Sequence, residues 1–203
     1  MTDQISINKI TKPLVEELIE NISVLNLGIS TSSGGAKLID AGINHKGCLE
    51  SGRLITEICM GGLGRASLHM NDTFPNWPLS ISVHSTNPVL SCLGSQYAGW
   101  SLSHVKDEEN FNALGSGPCR ALACKEELFK DLDYKDKFFS TVVVMEVDST
   151  PPQEIIDKIT TDCSISEKNL TIILTPTRSL SGCVQIVGRV LEVGMHKVHE
   201  LGF

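Results

Sequence analysis

The sequence predicts an α/β protein with an at least partly parallel sheet, on three observations. Strand-like and helix-like segments alternate along the chain instead of falling into separate blocks. The last two strand segments, Phe139 to Val147 with its continuous run Val142, Val143 and Val144, and Leu170 to Leu174, read as strands buried on both faces. No low-complexity linker interrupts the 203 residues, which are enough to bury a core of ordinary size.

Taken in order, the first helix is read with Thr11 as cap and Pro13 in the first turn, and Leu14, Leu18, Ile22 and Leu25 trace its apolar face. The turn residues Ser32, Ser33, Gly34 and Gly35 lead into a short strand, Ala36 to Ala41. Leu49 to Met60 has helical spacing with Leu54, Ile55 and Ile58 inward, and Gly61-Gly62 stops it. Strand patterns follow at Arg65 to Met70 and Leu79 to His84. Asn87-Pro88 starts a short helix, because Asn caps and Pro suits the first helical position. Gly115-Ser116-Gly117-Pro118 is expected to open a longer helix running to about Leu132. Pro151-Pro152 starts a helix to about Thr161, and Ser179 to Glu200 is expected to form one long final helix. Charge and polarity are densest at residues 107–110, which places the boundary between a first α/β subdomain, 1–108, and a second, 109–203.

Composition excludes several classes of function. Lys and Arg number 17 against 24 Asp and Glu, a net charge of −7 that disfavours a nucleic-acid partner. No stretch has the apolar length of a membrane span, and the N-terminus lacks the basic start and apolar region of a signal peptide, so a cytoplasmic protein without a membrane partner is expected. The seven cysteines are odd in number and include no C-x-x-C pair, which argues against both a disulfide framework and a zinc site. Most are expected to be buried small hydrophobes.

Several side chains are candidates for chemistry. Arg189 and Glu192 stand three residues apart on the last predicted helix, amid the apolar Val184, Ile186 and Val187. A guanidinium beside a carboxylate fixes and ionises it, as activation of a water requires, although the same spacing also makes an ordinary surface ion pair. The Gly115–Pro118 turn, with Ser116 and Gly117, presents backbone N–H groups that suit an anion or simply turn the chain. Ser85, Thr86 and Asn87 lie where a strand gives way to a helix, a common ligand position in α/β proteins. Gln96 and Tyr97 offer an amide for a heterocycle edge and a ring for stacking; caps and core are the competing reading. Gly62-Leu63-Gly64-Arg65-Ala66-Ser67 lacks the third glycine and the following helix of a dinucleotide-binding turn, and reads as a structural turn. Gly52–Glu57 and Gly188–Glu192 echo one another as two amphipathic helices of similar composition do.

Four long blocks, in order, carry a resemblance: AKLIDAGINHKGCLESGRLITEICMGGLG, SVHSTNPVLSCLGSQYAGW, FNALGSGPCRALA and LTPTRSLSGCVQIVGRVLEVGMHK. Along essentially its whole length the chain resembles the methenyltetrahydromethanopterin cyclohydrolases. The resemblance implies a two-domain α/β fold with the pterin bound in a cleft between the domains, and a homotrimer. It implies reversible hydrolysis of the cyclic methenyl group of the pterin to the 5-formyl form, in archaeal-type one-carbon metabolism, with no metal or organic cofactor. The family's catalytic R-x-x-E falls on Arg189 and Glu192, and its cleft-lining segments fall on Ser85, Thr86, Asn87, Gln96 and Tyr97. Ser116 and Gly117 would receive an acidic group of the substrate's tail. Family members are longer, so the chain is expected to be an N-terminal fragment whose C-terminal part is missing, poorly soluble or weakly active alone. The alternative is a non-catalytic pterin-binding protein of the same fold.

Overall fold

A computed structural model describes residues 4–76, 78–106 and 109–202. Its main sheet has six strands in the order β1-β2-β8-β7-β6-β5. These are β1 (Gly28–Thr31), β2 (Lys37–Asp40), β5 (Trp100–Lys106), β6 (Glu109–Ser116), β7 (Thr141–Met145) and β8 (Leu170–Leu174). The three middle strands β2, β8 and β7 run parallel and finish level, Asp40 beside Leu174 and Leu174 beside Met145. β1, β6 and β5 join antiparallel at the two sides, so the sheet is mixed. β3 (Gly64–Met70) and β4 (Leu79–Ser85) form a separate antiparallel ribbon.

The two buried runs read from the sequence are the centre of this sheet: all five residues of β7 and all five of β8 are buried. Helix α5 (Gln153–Cys163) connects them, and its Ile155, Ile156 and Ile159 pack on one face with Val143, Met145 and Ile172. The other face, with Ile39, Val142, Val144 and Ile173, is covered by α1 (Ile7–Glu20) through Val15 and Leu18 and by α2 (Leu49–Cys59) through Leu54, Ile55 and Ile58. Alternate residues of a strand face opposite ways, so a strand covered on both sides has no polar positions to spare. α2 ends where expected: Gly61 and Gly62 take φ of +66° and +70°, which a side chain would resist.

Four expectations need correction. α1 begins at Ile7, with Ser6 Oγ accepting from Lys9 N at 3.1 Å. Thr11 is interior to it, its hydroxyl donating to Ile7 O, and Pro13 lies mid-helix rather than in the first turn. The helix expected from Gly115 to Leu132 is instead the end of β6, a five-residue α3 (Cys119–Ala123) and a short α4 (Leu128–Asp131). Cys124 stops α3 by adopting a left-handed conformation. The long final helix is two helices, α6 (Leu180–Val187) and α7 (Val190–Glu200), broken at Gly188-Arg189. Gly188 lies so close to α2 that a Cβ there would stand 2.5 Å from Thr56 Cγ2. Finally, β1, β5 and β6 are strands beyond those the sequence predicts.

The short helix expected after Asn87-Pro88 is present as an eight-residue π-helix, Val89–Gln96. Asn87 Oδ1 accepts from Leu90 N at its start, as a capping Asn does. The subdomain boundary expected at 108/109 abuts residues 107 and 108, which lie outside the described residues.

Candidate active site

The parallel strands carry their loops together at one edge of the sheet, outside their C-terminal ends, where open α/β sheets place ligands. Glu146 is the first residue beyond β7 and Thr175 the first beyond β8. Gln185 on α6 and Arg189 at the break before α7 reach the same place. A cavity of about 360 Å³ opens here, lined by Arg189, Glu146 and Val144 and by Ser101, Asn112 and Leu114 from β5 and β6.

Arg189 is 8% exposed, and each of its three guanidinium nitrogens donates a hydrogen bond. Nη1 donates to Gln96 O at 2.5 Å, and Nη2 donates to Ser116 Oγ and to Gln185 Oε1, both at 3.1 Å. Nε donates to Gln185 Oε1 at 3.3 Å and lies 3.5 Å from Glu146 Oε1. Ser116 Oγ in turn donates to Gln96 O at 2.7 Å. A planar guanidinium held through each of its nitrogens in this way has its direction fixed before any ligand arrives.

The π-helix that supplies Gln96 O is itself anchored. Arg120, fully buried, donates from Nη1 to Leu93 O and Ser95 O and pairs with Glu126 through two bonds of 2.6 and 2.8 Å. Gln96 Nε2 donates to Gly188 O at 3.2 Å, joining the π-helix to the break before α7. Among the described residues its buried Oε1 has no hydrogen-bond partner, an acceptor left over beside Arg189.

Glu192 is the one buried residue of α7, 5% exposed, on the side turned toward the π-helix. Burial raises its carboxyl pKa, and the positive charges of Arg189, His196 and Arg120 offset part of that. Arg189 and Glu192 therefore do not share a helix, as the sequence implied, and no ion pair within 4 Å joins them; they interact through their fields. Below them Cys59 is wholly buried, its thiol pKa raised by burial against the opposing influence of Arg189 and of a hydrogen bond with Ser116.

The other candidate residues are placed as follows. Ser116 and Gly117 are buried, Ser116 holding Arg189 and Gly117 N donating to Ser95 O at 2.9 Å. Ser85 Oγ accepts from Asn87 N and Ser91 Oγ and donates to Leu63 O, which makes the Ser85–Asn87 segment the cap of the π-helix. Thr86 lies within that cap. Tyr97 stacks on His196 with ring centroids 4.2 Å apart, and Arg120 lies 5.1 Å from the same ring. The structure thus gathers Gln96, Tyr97, Ser116, Arg189 and Glu192, and leaves Ser85–Asn87 as local scaffolding beside them.

Sequence reasoning missed Glu146 and Gln185. Glu146 had a signal, being the first charge after a buried parallel strand, where ligands gather. Among the described residues no three His, Cys, Asp or Glu side chains converge as metal ligands do. All seven cysteines are free thiols, and Cys59, Cys92, Cys119 and Cys163 are buried.

The family model for cyclohydrolase (MCH) matches residues 6–203. The chain belongs to the MCH cyclohydrolase family. It is 59% identical over 198 residues to a methenyltetrahydromethanopterin cyclohydrolase of Methylobacillus flagellatus, covering 98% of this chain and 59% of that protein. It is 45% identical to the protein of that name from Methylobacterium organophilum, covering 98% of this chain and 61% of the relative. The protein of that name from Methanospirillum hungatei is 37% identical, again over 98% of this chain and 62% of its own length. The chain thus spans about three fifths of the length of the curated MCH relatives it matches. No helix among the described residues is long and apolar enough to cross a membrane.

Proposed function

We propose that the protein carrying this chain is a methenyltetrahydromethanopterin cyclohydrolase, converting the cyclic methenyl cation of the pterin reversibly to the 5-formyl form. The observation that carries the reading is Glu192: a buried carboxyl of raised proton affinity, in the field of a guanidinium held through all three of its nitrogens. A general base for water needs a pKa brought up toward the working pH, and burial supplies that shift.

The methenyl carbon lies between two nitrogens that share its positive charge, so it is already electrophilic. Glu192 takes a proton from water as the C–O bond forms and the cation becomes a neutral carbinolamine. It then returns that proton to N10 as the C–N10 bond breaks, and the hydroxyl proton leaves as the formyl C=O forms. Arg189 acts without touching Glu192: its charge keeps the ionised form accessible and its fixed direction shapes the cavity wall. A bound pterin held against that wall makes the attack effectively intramolecular. The steps as written draw on no metal or organic cofactor.

The exposed β5–β6 face beside Arg189, with Ser101, Asn112 and Leu114, supports a cleft for the pterin on this side of the sheet. A homotrimer in the cytoplasm, in archaeal-type one-carbon metabolism, completes the reading. The test follows the methenyl absorbance in wild type and Glu192→Gln. Wild type should outpace the spontaneous reaction, and the variant should lose about 10²–10⁴-fold in kcat while still binding pterin. Equal rates in the two proteins would remove Glu192 from the mechanism, and binding without turnover in wild type would leave a pterin-binding protein.

A further inference from the structure

The cavity wall contains a charged side chain that the mechanism above does not use. Glu146 stands at the C-terminal end of β7, and its Oε1 accepts from Gln185 Nε2 at 2.8 Å and lies 3.5 Å from Arg189 Nε. Gln185 Oε1 accepts from both Nε and Nη2 of Arg189. Carboxylate, amide and guanidinium form one chain in which each group limits the rotation of the next. Oε2 of Glu146 takes no hydrogen bond from any described residue, and 34% of the side chain remains exposed, toward the cavity that Arg189 also lines.

We propose that Glu146 is a positioning and specificity residue: with Gln185 it sets the direction of Arg189, and its free oxygen makes the cavity favour the cationic methenyl substrate over the neutral formyl product. This rests on the cyclohydrolase reading. The physical need is plain. A guanidinium on the wall of a partly desolvated cavity repels a cation, and at such short range one charge changes binding by about tenfold or more. A carboxylate 3.5 Å from Arg189 Nε offsets that repulsion without moving the arginine. The neutral formyl product gains nothing from it.

The consequence is a particular split of kinetic constants. The equilibrium constant of the reaction fixes the ratio of kcat/KM in the two directions, so any loss of kcat/KM must be equal in both. Glu146→Gln keeps an acceptor for Gln185 and removes the charge. In the protein at its full length, the variant should show KM for the methenyl cation raised about tenfold with its kcat little changed. In the reverse direction it should show kcat lowered by the same factor with KM for the formyl form unchanged. Glu146→Asp, which retains the charge, should restore part of the difference, and thermal melting of both variants checks that they are folded. Four unchanged constants in Glu146→Gln, or kcat lost in both directions with both KM values intact, would overturn the inference. So would an Asp variant no better than the Gln variant. Failure of the wild type to bind or turn over pterin would instead sink the cyclohydrolase reading, and this inference with it.

Discussion

At the scale of single residues the site is governed by burial of charge. Arg189 and Glu192 are both nearly inaccessible, yet among the described residues only the arginine is hydrogen-bonded through its side chain. An arginine cannot shed its proton, so the fold must supply acceptors; a carboxyl can take up a proton, and burial pushes Glu192 in that direction. The folded-state pKa of Glu192 lies above its unfolded value, so its stabilising contribution is complete below the ordinary Glu range and is lost as pH rises through the raised value. Above that point the ionised carboxylate costs stability. Glu192→Gln should therefore melt at a higher temperature than wild type near neutral pH, with the gap closing as pH falls below about 4. A series of thermal melts across pH reads this directly, and a variant less stable than wild type at neutral pH would contradict it. The same substitution that removes the base should thus make the fold more stable, as strain concentrated at a functional site predicts.

At the scale of elements, the helix pair α2 and α6 is what brings Arg189 to the sheet edge. The pair is close because small residues meet: Ser51 Oγ lies 2.7 Å from Ser181 Oγ, and a Cβ on Gly52 would stand 2.6 Å from Val184 Cβ and 2.8 Å from Ser181 O. One methyl cannot be accommodated there without separating the helices. Gly52→Ala should cost about 1–3 kcal/mol, by denaturant unfolding, and should weaken turnover by shifting Arg189. Gly194, in the middle of α7, provides the contrast, since a Cβ there meets nothing within 4 Å. Gly194→Ala should be stabilising by about 0.5–1 kcal/mol through helix propensity alone. Two glycine-to-alanine changes of opposite sign would separate packing from propensity; effects of the same sign would not support this packing account.

At the scale of the molecule, residues far apart in sequence tie the start of the chain to the sheet. Asn8, 3% exposed, donates from its backbone N and from Nδ2 to Asp136 Oδ2 at 2.9 and 2.7 Å, and from Nδ2 to Pro118 O at 3.0 Å. Thr141, the first residue of β7, donates its hydroxyl to Asn8 Oδ1. Truncation would leave the buried Thr141 hydroxyl without its partner and would remove one hydrogen bond each from Pro118 O and Asp136 Oδ2. Asn8→Ala should lower stability by about 2–4 kcal/mol at unchanged denaturant m-value, with the fold retained. A shift in midpoint near zero would show that the clasp contributes nothing. Such a contact spans more than a hundred residues and has no local signature, whereas the core it anchors does.

The sequence by itself determined the α/β class, the central strands β7 and β8, the helix between them and the stop of α2. Each of these follows from local rules: uninterrupted apolar runs, Pro at a helix start, and glycine where φ must be positive. It also marked Arg189 and Glu192, through family resemblance more than through spacing. The half-exposed β5–β6 pair did carry a local signal, the alternation of Ser101, Ser103, Asn110 and Asn112 with Trp100, Leu102 and Phe111, but one too short to stand out beside the apolar runs. Only the tertiary structure decided that the last helix breaks at Gly188, where close approach to Thr56 and the bond from Gln96 act from elsewhere in the chain. It alone turned Arg189 away from Glu192 and onto Gln96, Ser116, Gln185 and Glu146. The reason is that a buried guanidinium goes where acceptors are, and those acceptors come from the π-helix, β6, α6 and the end of β7, which spacing within one helix cannot foretell.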